Sequence, residues 1–360
     1  MNLQQFELFG IFNGVVLLLL LLDLFVFHKK DHVVSIKEAL AWSGFWIALS
    51  LFFNVLIYYF YAEWTLLPQA PDTTAAAAKA YSSKAAFEFL TAYLIEKSLS
   101  VDNLFVFLII FSRFRLPGEY QHKVLFWGIM GAIIMRIIFI FAGVELIKHF
   151  HWIIYLFGAF LIFTGVKLLK DDEPDVDLEK NPLLQFVRRF IPLTTEYSGG
   201  KFFARYNGIK HATPMFIVLL LVESTDLLFA VDSIPAVLGI SQDFFIVYSS
   251  NIMAILGLRS LYFALAGIMR YFRYLNIGLS VILIFIGAKM IGAEISHLID
   301  EPLLKIDTFV SLAVVLGILT VSVVASVLNP IKADDADLLP QPLPEQDPDK
   351  GTEGEDKPQA

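Results

Sequence analysis

The chain has 360 residues, 57% of them hydrophobic and 17% charged, with a net charge of −8 and a mean hydropathy of +0.67. That is too apolar for an ordinary soluble domain of this length, so the bilayer is expected to be its solvent. With no cysteine anywhere, disulfides and thiolate metal centres are excluded.

A bilayer core about 30 Å thick takes roughly 20 apolar residues per helix. Nine stretches suit that length: residues 8–27, 40–61, 87–111, 124–147, 152–169, 214–238, 244–268, 275–297 and 308–328. The expected fold is an all-α polytopic membrane protein of about nine transmembrane helices. The first stretch reads as a retained span, because no Lys or Arg precedes it and no small-residue cleavage site stands out. Asp23 lies near its end, a turn or two before Lys29 and Lys30, either as their partner or as a member of a site. Residues 1–86 thus hold two spans and a loop, and residues 87–170 hold the next three. Residues 171–213 form the longest loop, which opens with Asp171, Asp172, Glu173, Asp175 and Asp177 and reads as a linker. Three more spans fill residues 214–297 and the last one residues 298–330. The tail, 331–360, mixes acids with prolines and reads as disordered.

Lys and Arg fall mainly on alternate sides of these spans. One side holds Lys29, Lys30, Lys37, Arg113, Arg115, Lys123, the six basic residues of the long loop, Arg270 and Arg273. By the positive-inside rule that side is cytoplasmic, with the N-terminus outside and the C-terminus inside.

The chain also repeats itself. VDNLFVF (101–107) matches TDLLFAV (225–231), GIMGAIIMR (128–136) matches NIMAILGLR (251–259), and IFTGVK (162–167) matches IFIGAK (284–289), at offsets of 124, 123 and 122. Each copy has three spans, an odd number, so the second must cross the membrane in the opposite sense. Inverted repeats of this kind recur in secondary transporters, whose sites lie near the midplane between the halves.

A carboxylate at the centre of a membrane helix costs about 2.5–3.5 kcal/mol on insertion scales, so clusters are kept only when paired, hydrated or metal-bound. The third span carries Glu96 and Asp102 with Asn103 beside them, and the sixth carries Glu223, Asp226 and Asp232. At about 100° per residue, Glu96, Ser100 and Asn103 share a face, as do Glu223, Asp226 and Ser233. Asp102 and Asp232 lie off those faces. Pro235 removes a backbone donor and is expected to open the helix near Asp232, letting it turn inward. Oxygen donors without thiolate or imidazole suit a hard divalent cation, Mn²⁺, Ca²⁺ or Mg²⁺. Arg136, Arg259, Lys97 and Lys289 are the candidate counter-ions. Two other readings stand beside the metal site: acids neutralised by those cations to hold the bundle, and a proton relay.

EKSLSVDNLFVF (96–107), VESTDLLFAVDSIPAVL (222–238), NIMAILGLRSLYFALAG (251–267), FGAFLIFTGVKLL (157–169) and KFFARYNGIKHATP (201–214) resemble the TerC family, especially its Alx-like members. The resemblance implies an integral protein of the bacterial cytoplasmic membrane, linked to tellurium resistance by name and to manganese homeostasis by function. Alx-like members are similar to Mn²⁺ exporters and have been labelled redox modulators. Carried over by position, the family's acidic site falls on Glu96, Asp102, Asn103, Glu223, Asp226 and Asp232, with Asp23 from the first span. The expected function is export of a divalent cation, Mn²⁺ first, through a carboxylate site between two inverted repeats. Its rivals are a membrane partner protein that delivers metal to secreted proteins, and a proton- or redox-linked stress protein without metal transport. The expected partners are the metal ion, the bilayer and a membrane protein, with no nucleic acid. No enzyme is expected, since the glycine–x–glycine–aspartate pattern of an intramembrane aspartyl protease is absent.

Overall fold

The structure, a computed structural model, describes residues 3–25, 36–150, 152–170, 192–194, 197–206, 209–268, 274–298 and 306–329. The acidic run that opens the long loop and the acidic tail lie outside the described residues. Ten helices and one hairpin are described: α1 (Leu3–Phe25), α2 (Ile36–Thr65), α3 (Ala75–Arg113), α4 (Gly118–His149), α5 (Ile153–Lys170), β1 (Phe203–Tyr206), β2 (Ile209–Ala212), α6 (Pro214–Leu238), α7 (Phe244–Ile255), α8 (Leu258–Ile268), α9 (Leu275–Leu298) and α10 (Thr308–Leu328).

Among the described residues, five helices (α2, α4, α6, α9 and α10) are long and apolar enough to cross a membrane, and α7 with α8 makes a sixth as a bent pair. The chain is therefore an all-α multi-pass membrane protein. The three other predicted spans are helical too, α1 and α5 as shorter apolar helices and α3 as a long one interrupted by charge. Side chains such as Ile134, Ile138 and Phe141 of α4, Leu228 of α6, and Val321 and Leu328 of α10 are exposed on the outer faces. In water such faces would be costly. In lipid they are the solvated surface.

Three departures from the sequence-based expectation have local causes. Helix α3 begins twelve residues before the predicted span, because the Thr74 side chain caps the Ala77 N–H (3.3 Å) and a run of alanines follows. That first stretch is helical yet too polar to read as a span. Helix α6 runs on through Pro235 and is not opened there, since the proline sits within one turn of the helix end and removes only one hydrogen bond. The interruption falls instead in the next span, which bends by 43° between α7 and α8. There Gly257 takes φ +80°, and a Cβ at that position would lie 2.6 Å from ring atoms of Trp46. Glycine supplies both the left-handed backbone and the space.

Helices α5 and α9 pack antiparallel along glycines. A Cβ on Gly165 would meet the carbonyl oxygen of Ser280 at 2.7 Å and Ile284 at 2.8 Å, and one on Gly287 would meet the carbonyl oxygen of Gly158 at 2.5 Å and Ile162 at 2.9 Å. The offset of 122 carries Gly158, Ile162 and Gly165 onto Ser280, Ile284 and Gly287, so the two contacts exchange under it. Helices α4 and α6 run parallel, with Gly128 against Val222 and Gly143 against Leu238. Without a hydrophobic drive between helices in lipid, close backbone approach through small residues is what holds them.

Gly287→Ala should therefore lower stability, because its Cβ meets backbone oxygen, at a cost of about 1–3 kcal/mol. Gly317→Ala, which meets nothing within 4 Å, should be neutral or slightly stabilising. Thermal unfolding of the two purified variants in one detergent checks this contrast.

Candidate cation site

The centre of the bundle is built around a buried guanidinium. Arg136 of α4 is 1% exposed, and its Nη1 donates both to Glu96 Oε1 on α3 and to Asn251 Oδ1 on α7 (2.7 Å). Its Nη2 lies 3.8 Å from Asp226 Oδ1 on α6. Four helices thus meet at one side chain. Two of the three partners are themselves held. Ser100, one turn along α3, donates to Glu96 Oε1 (3.4 Å), and the Asn251 amide donates to the Val247 carbonyl (3.0 Å), which fixes its oxygen towards Arg136.

The faces expected from helical periodicity are the buried ones. Glu96, Ser100 and Asn103 are all buried on α3, and Asp226 and Ser233 on α6, while Leu227, Leu228 and Val231 on the rest of α6 are exposed. Glu223, one turn before Asp226, is half-buried, and its carboxylate lies where a Cβ on Gly131 of α4 would stand. Glycine at 131 is what lets this acid lie flat on α4. Asn103 is buried two turns from Glu96, about 10 Å along the axis. It belongs to the same face but not to the ring of groups around Arg136. Asp23, Asp102 and Asp232 stand on described helices, but their side chains lie outside the described residues.

Of the predicted counter-ions, Arg136 takes that role directly. Arg259 is buried on α8, at the repeat position equivalent to Arg136. Lys97 does something the sequence did not suggest. Its Nζ donates to the carbonyl oxygens of Ala254 (3.1 Å) and Leu256 (3.4 Å), capping the last turn of α7 where the bend frees carbonyls. Lys289 lies instead within electrostatic range of Glu88 and Asp307, away from Arg136. There the Ser241 hydroxyl donates to Glu88 (2.6 Å) and the Tyr61 hydroxyl to Asp243 (2.7 Å), the residue that caps α7.

Asn251 was missed among the candidate ligands. Its signal was present: it stands opposite Gly128 in the second repeat match, a polar side chain where the other copy has none. Glu96 and Asp226 flank the guanidinium, Glu223 lies one turn before Asp226 on α6, and Lys97 on α3 adds a second cation within electrostatic range of Glu96. Glu96 Oε2 and Asp226 Oδ2 are buried and have no hydrogen-bond partner among the described residues. No group of three or more His, Asp or Glu residues close enough to hold a metal by themselves occurs among the described residues. Any cation here would take its oxygens from acids, amides and hydroxyls together.

The fold and this core define the class: a multi-pass helical membrane protein with an ionised centre. The chain belongs to the TerC family, described as "Integral membrane protein TerC family", whose pattern matches residues 81–333. It is 47% identical over 326 residues to "Uncharacterized membrane protein STKORF319" of Myxococcus xanthus, covering 91% of this chain and 93% of that one. It is 44% identical over 316 residues to the "Putative membrane-bound redox modulator Alx" of Escherichia coli K12, covering 88% and 92%. The Salmonella typhi protein of the same name is 43% identical over 318 residues, covering 88% and 92%. No solved structure matches the chain.

Removing the guanidinium by Arg136→Met strands two buried carboxylates and should cost about 3–5 kcal/mol. Adding Glu96→Gln to it should return part of that loss. The melting points of the single and double variants test whether Arg136 is the hub.

Proposed function

We propose that this chain is a secondary transporter of the bacterial cytoplasmic membrane that exports a divalent metal cation, Mn²⁺ foremost, and is not an enzyme. The observation that carries the proposal is the pair of buried carboxylate oxygens beside Arg136, Glu96 Oε2 and Asp226 Oδ2, that lack partners among the described residues. Acids from α3 and α6 meet there in the apolar bundle, with Glu223 a turn before Asp226. At about 2.5–3.5 kcal/mol per bare carboxylate, such a cluster is retained only with a cation, protons or water in attendance. A hard divalent ion matches its donor type.

The two halves run as inverted repeats, α3–α5 and α6–α9, within nine spans. Support comes from the antiparallel α5–α9 contact that exchanges under the sequence offset, and from α4 running parallel to α6. On this reading Glu96 comes from one repeat and Glu223 and Asp226 from the other, so a rocking motion between halves pulls the ligands apart and releases the ion outward. Asp23, Asp102, Asn103 and Asp232 complete the set of candidate ligands, with Ca²⁺ and Mg²⁺ as competitors for it. Arg136 stays as the tethered counter-ion.

A second reading is favoured by the same guanidinium: a fixed ion-pair network that locks the bundle, in a protein that acts through a membrane partner or in stress resistance. The relatives named as redox modulators belong with this reading, although a redox role in this chain would have to act without thiols.

Purified chain in liposomes loaded with a Mn²⁺-quenched dye separates the two. Wild type should quench the dye, and Glu223→Gln and Asp226→Asn should slow quenching at least about tenfold, Glu223→Gln while melting as wild type does. Gly131→Val, which evicts the Glu223 carboxylate, should act like Glu223→Gln. A wild-type protein that moves no Mn²⁺, with Asp226→Asn cells as Mn²⁺-tolerant as wild type, sinks the transporter and leaves the structural network.

A further inference from the structure

The long loop carries an element that the metal site does not use. Strands β1 and β2 pair antiparallel, with Phe203 opposite Ala212 and Arg205 opposite Lys210. The sequence between them, Asn207-Gly208, is a hairpin signal. Around the hairpin the loop is fastened to the ends of three membrane helices. The Tyr197 hydroxyl donates to the Phe114 carbonyl beyond α3 (2.5 Å), Lys123 of α4 donates to the Gly200 carbonyl (2.7 Å), and Thr213, at the start of α6, donates to the Lys201 carbonyl (2.7 Å). The hairpin is therefore held at one end of the bundle, the basic end.

Residues two apart share a strand face, so Phe203, Arg205, Lys210 and Ala212 line one face. Its root is apolar: the Phe203 ring lies 4.6 Å from that of Phe216 in the first turn of α6, and Ala212 is buried. Two pairs further out, on the same face, stand Arg205 and Lys210, both exposed. Like charges directly opposite each other destabilise a strand pair. No acid among the described residues pairs with either of them, and Lys210 leans over the Phe203 ring at 4.1 Å. Lys123 sits likewise over Phe202, 5.3 Å from its centroid. Of the described acids of this end, Glu119 faces Tyr120 and Glu38 stands in the first turn of α2. Two cations that repel each other are thus set beside aromatic rings, at the level where a membrane helix begins.

We infer that this face, Phe203 with Arg205 and Lys210, is a seat for the headgroup of an anionic phospholipid. The guanidinium and ammonium together hold the lipid phosphate, which removes their mutual repulsion. The rings of Phe203 and Phe216 line the upper acyl chain. The aromatic root selects a lipid over a free anion, and the cation pair selects an anionic headgroup over a zwitterionic one. The seat stands apart from Arg136 and its acids, so it holds or falls independently of metal transport.

Native mass spectrometry of the full chain in detergent, titrated with phosphatidylglycerol, phosphatidylcholine or inorganic phosphate, tests it. Wild type should retain phosphatidylglycerol saturably and neither of the others. Arg205→Gln with Lys210→Gln should bind it on the order of thirtyfold more weakly, and Lys79→Gln, an exposed cation ahead of the predicted third span, should bind as wild type does. If the double variant does not fold, Arg205→Gln alone should lose about fivefold. Equal retention by the glutamine variants, phosphatidylcholine bound as tightly as phosphatidylglycerol, or inorganic phosphate filling the site at the same concentration would each overturn the assignment.

Discussion

The described centre of this protein is arranged around one guanidinium buried away from the protein surface. Arg136 cannot lose its proton and cannot be left bare in an apolar bundle. Its burial therefore forces oxygens onto it from every side: a carboxylate from α3, a carboxylate from α6 and an amide from α7. The contacts tie four helices together. The same interaction that fastens the bundle leaves one oxygen of Glu96 and one of Asp226 buried without a partner among the described residues.

The remainder of the structure makes room for that arrangement. Glycines at 128, 131 and 143 let α6 lie close along α4, and the one at 131 is occupied by the Glu223 carboxylate. Glycines at 158, 165 and 287 seat α5 and α9 backbone to backbone. The bend at Gly257 presents the end of α7 so that Asn251 reaches Arg136 while the carbonyls of the last turn receive Lys97. Two neighbouring cations on α3 and α4 are thus satisfied by one turn of α7, by a side chain in one case and by backbone in the other.

Much of this was legible in the sequence, because lipid imposes a simple rule on composition and length. The apolar stretches became helices, and the shared face of Glu96 and Ser100 and that of Asp226 and Ser233 are the buried faces, as a 3.6-residue period requires. Family membership followed from the two acidic motifs. What periodicity could not carry were contacts set by tertiary neighbours. Lys97 was placed among carboxylates but caps carbonyls, because the helix break that frees them lies on another segment. Pro235 looked like the breaker and is not, being too near a helix end to matter. Gly257 is, because Trp46 of α2 leaves no room for a side chain there. The hairpin has a local signal in Asn207-Gly208, but the acidic run that opens the loop makes the whole segment read as a linker.

The account stands or falls on whether the unpartnered carboxylate oxygens beside Arg136 are answered by a metal ion. Titrating the purified chain with Mn²⁺ while following the free ion by electron paramagnetic resonance asks this directly. A saturable site with one ion per chain, weakened when Glu96 is changed to Gln, is the predicted result. A wild-type titration that tracks protein-free buffer at every concentration would contradict it.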